Sequence, residues 1–275
     1  MNSFEQHIKS YLDSQRDCLI TDAMSYALEG GKRFRPRVIC SILKGFGIPE
    51  NTGYDAALAL ELIQTYSLIH DDLPAMDDDD MRRGKPSLHK AFREDIAILA
   101  GDQLLTDAFK VISDSPSYDD SAKVRMISAL SRYAGLDGMI YGQLLDVTTD
   151  EDSINRDKLI EIQENKTAGL FKIACLMPMY IAGIDDEDYF VGLGSRIGQI
   201  FQNQDDLFDI IKTEEEMGKN LSDRKNRKGT ALTVYTLEEL QELIGRMFDD
   251  LETYLSKAPF DPSELKLLLE KLKNR

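Results

Sequence analysis

Ser67–Pro86 reads S-L-I-H-D-D-L-P-A-M-D-D-D-D-M-R-R-G-K-P, six aspartates and an arginine pair in one short segment. Leu58, Leu62, Ile63, Tyr66 and Ile69 precede the aspartates at helical spacing. That pattern predicts a buried helix running into Asp71 and Asp72. Carboxylates at the end of a buried helix are costly unless paired or bound to a cation. The helix dipole is negative at that end and raises the cost. A divalent ion relieves both problems, and hard oxygen donors suit Mg²⁺. Asp77 lies six residues beyond Asp71, about 120° away on a straight helix. Pro74 would break such a helix. A bulged turn over Leu73–Met76 is therefore expected, returning Asp77 toward Asp71 and Asp72.

A second acidic motif, Q-D-D-L-F-D at Gln204–Asp209, lies more than a hundred residues downstream. On a helix Asp205 and Asp209 fall roughly 40° apart and share a face. Arg82 and Arg83 directly follow the first motif, and guanidinium groups are forks for phosphate oxygens. Two acidic motifs and an arginine pair suit a metal–diphosphate site better than a bare cation site. Taken alone, Asp77–Asp80 also reads as a solvated acidic loop. An EF-hand fails, because Arg82 and Leu88 stand where glycine and glutamate are required.

A net charge of −16 argues against nucleic-acid binding, which needs a basic surface. Metal ions and local cations must then reverse the sign at any site for anionic diphosphates. Cys18, Cys40 and Cys175 show neither zinc spacing nor a disulfide framework. Buried free thiols in a reducing cytoplasm are expected. The first residues, M-N-S-F-E-Q-H, do not read as a signal peptide. Ile173–Ile184 is too short to span a bilayer and contains Pro178, so no stable membrane insertion is expected.

Helical periodicity dominates and no convincing alternating strand is found. The expectation is an all-α, single-domain chain over 1–275 with about ten or more helices. Breaks are expected at Gly30–Gly31, Gly47–Asn51, Ser113–Asp120, Thr148–Arg156, Ile184–Asp188, Thr213–Gly229 and Ala258–Ser263. Ala97, Gly101 and Ala108 suggest tight helix packing, read here as a dimer seam. Gly135–Asp146 carries small residues that let helices approach closely, with Gln143 and Asp146 on one face as supports of a cavity wall. His70 and His89 read as structural, and no histidine pair has metal spacing.

D-D-L-P-A-M-D-D-D-D-M-R-R-G-K-P resembles the first aspartate-rich motif of the trans-isoprenyl diphosphate synthases, and F-Q-N-Q-D-D-L-F-D resembles their second. The likeness runs from G-G-K-R-F-R-P at Gly30 to R-K-G-T at Arg227, and is greatest to the bacterial farnesyl diphosphate synthase group. It implies an isoprenoid-synthase-type helical bundle around a central cavity. The implied enzyme is a cytoplasmic, homodimeric prenyltransferase that condenses isopentenyl diphosphate with dimethylallyl or geranyl diphosphate, giving farnesyl diphosphate and pyrophosphate. A geranylgeranyl diphosphate synthase, a terpene cyclase and a non-catalytic subunit of a heteromeric synthase are the alternatives.

The resemblance also assigns residues. Asp71, Asp72, Asp77, Asp205 and Asp209 would hold about three Mg²⁺ ions, with Mn²⁺ acceptable to the same oxygen donors. Lys32, Arg35, Arg83 and Gln64 would hold isopentenyl diphosphate; Gln64 stands where histidine is common. Arg82, Lys166, Lys219 and Lys228 would face the allylic diphosphate. Thr167 would steady developing positive charge, and Gln202 belongs to the substrate set. Tyr66, with Ser67 beside it, would floor the cavity and limit the product to fifteen carbons. Arg93 replaces a common glycine, and Ala231 and Leu232 replace the usual aromatic and proline.

Overall fold

A computed structural model of the chain describes residues 2–211 and 231–274. The first half comprises α1 (Asn2–Asp13), α2 (Leu19–Leu28), α3 (Phe34–Gly45), α4 (Tyr54–Asp71), α5 (Leu88–Ala91), α6 (Glu94–Asp114) and α7 (Asp120–Ala134). The second comprises α8 (Met139–Thr148), α9 (Arg156–Lys166), α10 (Ala168–Ile181), α11 (Glu187–Ile211), α12 (Ala231–Val234), α13 (Leu237–Leu255) and α14 (Ser263–Lys273). The all-α expectation is met. The expected breaks are found except that at Thr213–Gly229, which lies outside the described residues; those between Asp13 and Leu19, between Ala134 and Met139 and between Val234 and Leu237 were not expected.

Two helices are apolar nearly all round and form the centre. Leu58, Leu60, Leu62 and Ile63 of α4 are at most 2% exposed. Each contributes about 1.5–3 kcal/mol by leaving water. Every residue of α10 from Ala168 to Tyr180 is buried. Helix α6 packs along α4, α11 packs along α10, and α3 bridges the two pairs. Both acidic motifs lie on this frame, at the end of α4 and late in α11. At the start of α13, Thr236 and Glu239 form a reciprocal capping box. Among the described residues no helix is long and apolar enough to cross a membrane.

Three expectations need correction. Ala97, Gly101 and Ala108 are buried within the chain, not at a dimer seam. A Cβ on Gly101 would collide with the His70 imidazole, so this small-residue stripe lets α6 close on α4. A short antiparallel hairpin pairs Met81–Arg82 (β1) with Lys85–Pro86 (β2). Arg83 and Gly84 turn it at φ of 55° and 76°, the left-handed pair that a two-residue hairpin demands. Two-residue strands are too short to carry an alternating pattern. Finally, Cys18 is exposed, whereas Cys175 is buried and Cys40 half-buried; all three are free thiols.

Candidate active site at the ends of α4 and α11

The turn after α4 doubles back on the helix. The N–H of Asp77 donates to the Asp71 carbonyl at 2.9 Å, and the N–H of Asp78 to that of Leu73 at 3.1 Å. Asp78 takes a left-handed φ of 48° to complete the turn. Asp77 is thereby folded back to the last residue of α4, as the proline and the spacing suggested.

The hairpin then aims the two arginines. Nε of Arg82 donates to Oδ1 and Oδ2 of Asp72 at 3.0 and 3.1 Å, and its Nη2 donates to Asp79 at 3.2 Å. A further short contact joins Nη2 to Asp72. Burial opposes the charge on Arg82, but Asp72, Asp79 and Asp71 outweigh it and hold the guanidinium above its ordinary range. Arg83 reaches the carbonyls of Ala27 and Glu29 near the end of α2, both at 3.4 Å. Burial pulls Arg83 below its ordinary value.

The basic hook after Gly30 separates its cations. Arg33, at a left-handed φ of 52°, turns into the protein. Its guanidinium donates to Glu61 at 2.6 Å, to Glu5 at 2.9 and 3.2 Å, and to the Leu28 carbonyl. It ties α1, α2 and α4 together. Lys32 and Arg35 face a cavity of about 790 Å³. The Arg35 guanidinium lies 4.4 Å from the Phe171 ring and 5.6 Å from that of Phe201. Those rings pack on each other and on Phe34. Its buried Nε has no hydrogen-bond partner. Burial, partly offset by Glu61 and Asp205, pushes Arg35 down to about 10, so it stays charged at neutral pH.

That cavity gathers residues from across the chain. Asp71 and Asp205, one from each acidic motif, line it together with Arg82, Arg83 and Lys166. Lys166 Nζ donates to Asp146 at 2.5 Å, and a Cβ on Gly142 would strike the Lys166 backbone, so α8 holds the end of α9 closely. Tyr66, Ser67 and Gln64 line the α4 wall. The Tyr66 ring meets His70 edge-on, with centroids 5.7 Å apart, and burial raises its phenol to about 12. Ser67 Oγ donates to the Gln64 carbonyl at 3.0 Å. Leu105, Met139, Leu170 and Phe201 supply apolar wall.

Orphaned polar atoms show what kind of ligand the cavity would suit. Besides Arg35 Nε, the buried Gln64 Oε1 and both side-chain polar atoms of Gln143 lack partners. A polar, anionic head group would satisfy the donors among them. Among the described residues no three carboxylate, imidazole or thiol groups meet closely enough to cage a metal ion. Asp71 and Asp205 instead offer hard oxygens at the wall of a cavity wide enough for a ligand. That donor set fits Mg²⁺, which takes one or two carboxylates and completes its shell with phosphate oxygens and water.

Not every expected site residue lies on that wall. Asp72 is buried against Arg82, and Asp77 stands off the cavity lining. Gln202 lines the cavity but is engaged in hydrogen bonds with Thr167 and Asp206. The Asp209 side chain, Lys219 and Lys228 lie outside the described residues. Sequence reading missed Glu61 and Asp206. The signal for Glu61 was a lone carboxylate within an apolar helical run. Asp206 gave none, since its neighbour Asp205 carries the same side chain.

An all-α bundle with a large, part-polar and part-apolar cavity between two acidic helix segments has the architecture of isoprenyl synthases. The chain belongs to the polyprenyl synthetase family, whose model matches residues 17–265. It is 41% identical to the farnesyl diphosphate synthase of Bacillus subtilis over 222 residues, covering 78% of this chain and 75% of that one. It is 38% identical to the farnesyl diphosphate synthase of Geobacillus stearothermophilus over 257 residues, covering 90% and 86%. A crystal structure of a Helicobacter pylori geranyltransferase complexed with magnesium and isoprenyl diphosphate matches with a TM-score of 0.86 and 30% identity, covering 100% of this chain and 96% of that one.

Proposed function

We propose that this chain is a prenyltransferase that condenses isopentenyl diphosphate with dimethylallyl or geranyl diphosphate to give farnesyl diphosphate and pyrophosphate. One observation carries the reading: Asp71 and Asp205 share a cavity with Lys32, Arg35, Arg82, Arg83 and Lys166. Such a cavity can take two diphosphates, one held through metal on carboxylates and one on cations alone.

Asp71, Asp77, Asp205 and Asp209 would hold about three Mg²⁺ ions on the allylic diphosphate. Asp72 would keep its Arg82 partner and lend a remaining lone pair to the same set. When bound, magnesium supplies positive charge that stabilises the departing diphosphate. Arg82, Lys166, Lys219 and Lys228 neutralise the rest. Lys32, Arg35, Arg83 and Gln64 orient isopentenyl diphosphate so that its double bond faces the allylic carbon. The allylic C–O bond would break with its electron pair left on the departing diphosphate, the double bond of isopentenyl diphosphate would supply the pair for the new C–C bond, and the proton lost to restore a double bond would pass to that diphosphate. Thr167 faces the positive charge, and the apolar wall excludes water that would trap it.

Tyr66, with Ser67 at its side, forms the floor that ends chain growth at fifteen carbons. Residues 1–275 act as a single polyprenyl synthetase domain in the cytoplasm, consistent with three unpaired cysteines. A homodimer is part of this reading. Leu136, Ile140, Leu144 and Val147 form an exposed apolar stripe along and just before α8, between 47% and 70% exposed, and a second copy would cover it.

The deciding experiment incubates purified protein with Mg²⁺, labelled isopentenyl diphosphate and dimethylallyl diphosphate, and resolves the products by chain length. A fifteen-carbon product is expected. A twenty-carbon product would overturn the Tyr66 floor, and silence with and without metal would overturn the enzyme reading.

A further inference from the structure

Asp206 belongs to the second acidic motif yet stands outside the cavity lining and is buried. Its carboxylate joins two elements. Oδ2 accepts from the backbone N–H of Ala231 at 2.9 Å, and Oδ1 accepts from Nε2 of Gln202 at 2.9 Å. Gln202 Oε1 in turn accepts from the hydroxyl of Thr167 at 2.7 Å. Thr167 itself lines the cavity.

The order of donors along this chain is forced. An ionised carboxylate only accepts. Asp206 therefore requires the nitrogen of the Gln202 amide on its side, because a side-chain amide is oriented by its partners. The amide oxygen must then face Thr167. A threonine hydroxyl has one proton and two lone pairs. With the proton committed to Gln202, the Thr167 oxygen turns only lone pairs toward the cavity.

We propose that Asp206 is a positioning residue: through Gln202 it fixes the polarity of the Thr167 hydroxyl, so that Thr167 offers a lone pair and never a proton to positive charge forming in the cavity. This rests on the reading of Thr167 as a neighbour of the allylic cation. Asp206 touches neither substrate nor, in this assignment, metal. Its role differs from that of a plain clamp on residue 231, because a clamp has no preference for the charge of the ligand.

The test uses two non-reactive prenyl diphosphate analogues of equal shape. One carries an ammonium nitrogen at the position of the cationic carbon, and the other is its neutral isostere. Affinities are measured by calorimetry in Mg²⁺ for the wild type, Asp206→Asn, Thr167→Val and the double variant. Asparagine must present an N–H to one of two donors. Rotation of the Gln202 amide relieves that conflict and frees the Thr167 proton to face the cavity. Asp206→Asn should weaken the ammonium analogue about tenfold and leave the neutral one within about twofold. In the Thr167→Val background it should add nothing. Both analogues share the diphosphate, so a disturbed metal site would weaken both. Equal weakening of the two, weakening of neither, or an effect that persists without the threonine hydroxyl would overturn the proposal. Gln202→Met, which cuts the relay and leaves the Asp206–Ala231 bond in place, must also weaken the ammonium analogue selectively; an unchanged preference there overturns it even if Asp206→Asn does not fold. A wild type that binds both analogues equally would remove the reading of Thr167 itself, a result distinct from failure of the relay alone.

Discussion

Arg82 grips both carboxylate oxygens of Asp72, with Nε at 3.0 and 3.1 Å from them. Asp72 is buried and Arg82 partly exposed. Removing one member of a buried pair leaves the other charge uncompensated, at about 3–5 kcal/mol, and solvent at Arg82 reduces that figure. Asp72→Ala should cost about 2 kcal/mol of stability, read from the urea midpoint. A midpoint within error of the wild type would show the pair to be a surface contact in effect.

Asp71→Ala and Asp205→Ala remove the two carboxylates that share the cavity wall. Each should lower turnover by at least about 10²-fold, in line with loss of a main electrostatic stabiliser. Circular dichroism should show the helices intact. Near-normal turnover in either variant would refute the metal assignment.

Tyr66→Ala opens the cavity below the acidic end of α4. Chromatography of its products should show chains longer than fifteen carbons. An unchanged product would place the floor elsewhere.

Acid sensitivity should trace in part to Asp55. Burial opposes its ionisation, but hydrogen bonds from His7 at 2.9 Å and from Ser115 at 2.5 Å outweigh it and hold the carboxyl below its ordinary value. A depressed carboxyl contributes stability that is present above the unfolded value, about 4, and is lost as pH falls through the folded value. Asp55→Asn should therefore be less stable than the wild type at neutral pH, with the gap narrowing below about pH 4 in denaturant titrations. A gap that does not change with pH would assign the loss to packing.

Replacing Ile140 and Leu144 together by aspartate should convert the protein to a monomer in sedimentation experiments. A wild type already monomeric would overturn the homodimer, and a double variant still dimeric would put the dimer contact aside from α8.

Much of the frame was legible because its signals are local. The stripe from Leu58 to Ile69 marked α4, and Pro74 marked the turn that folds Asp77 back on Asp71. Motif likeness then put Lys32, Arg35 and Lys166 at one cavity, which periodicity could not do. What stayed hidden depends on side-chain direction in three dimensions. Arg33 and Arg35 are two residues apart in one basic run and both border the cavity, yet Arg33 is locked to three helices while Arg35 rests on Phe171 and Phe201 with its Nε unpartnered. Asp205 and Asp206 are adjacent, but about 100° of helix rotation sends one to the cavity and the other to Gln202. The Ala97–Gly101–Ala108 stripe signalled close packing without naming the partner, which is α4 and not a second chain.

The seat of Arg35 on Phe171 and Phe201 has a bearing on ionic strength. Aromatic faces hold the guanidinium without consuming its charge. Added salt would screen what that charge attracts, yet it would not loosen the contact with the rings that keeps the side chain in place. Lysine carries the same charge but not the flat group that rests on such a platform, so at this position it would be a different residue in all but sign.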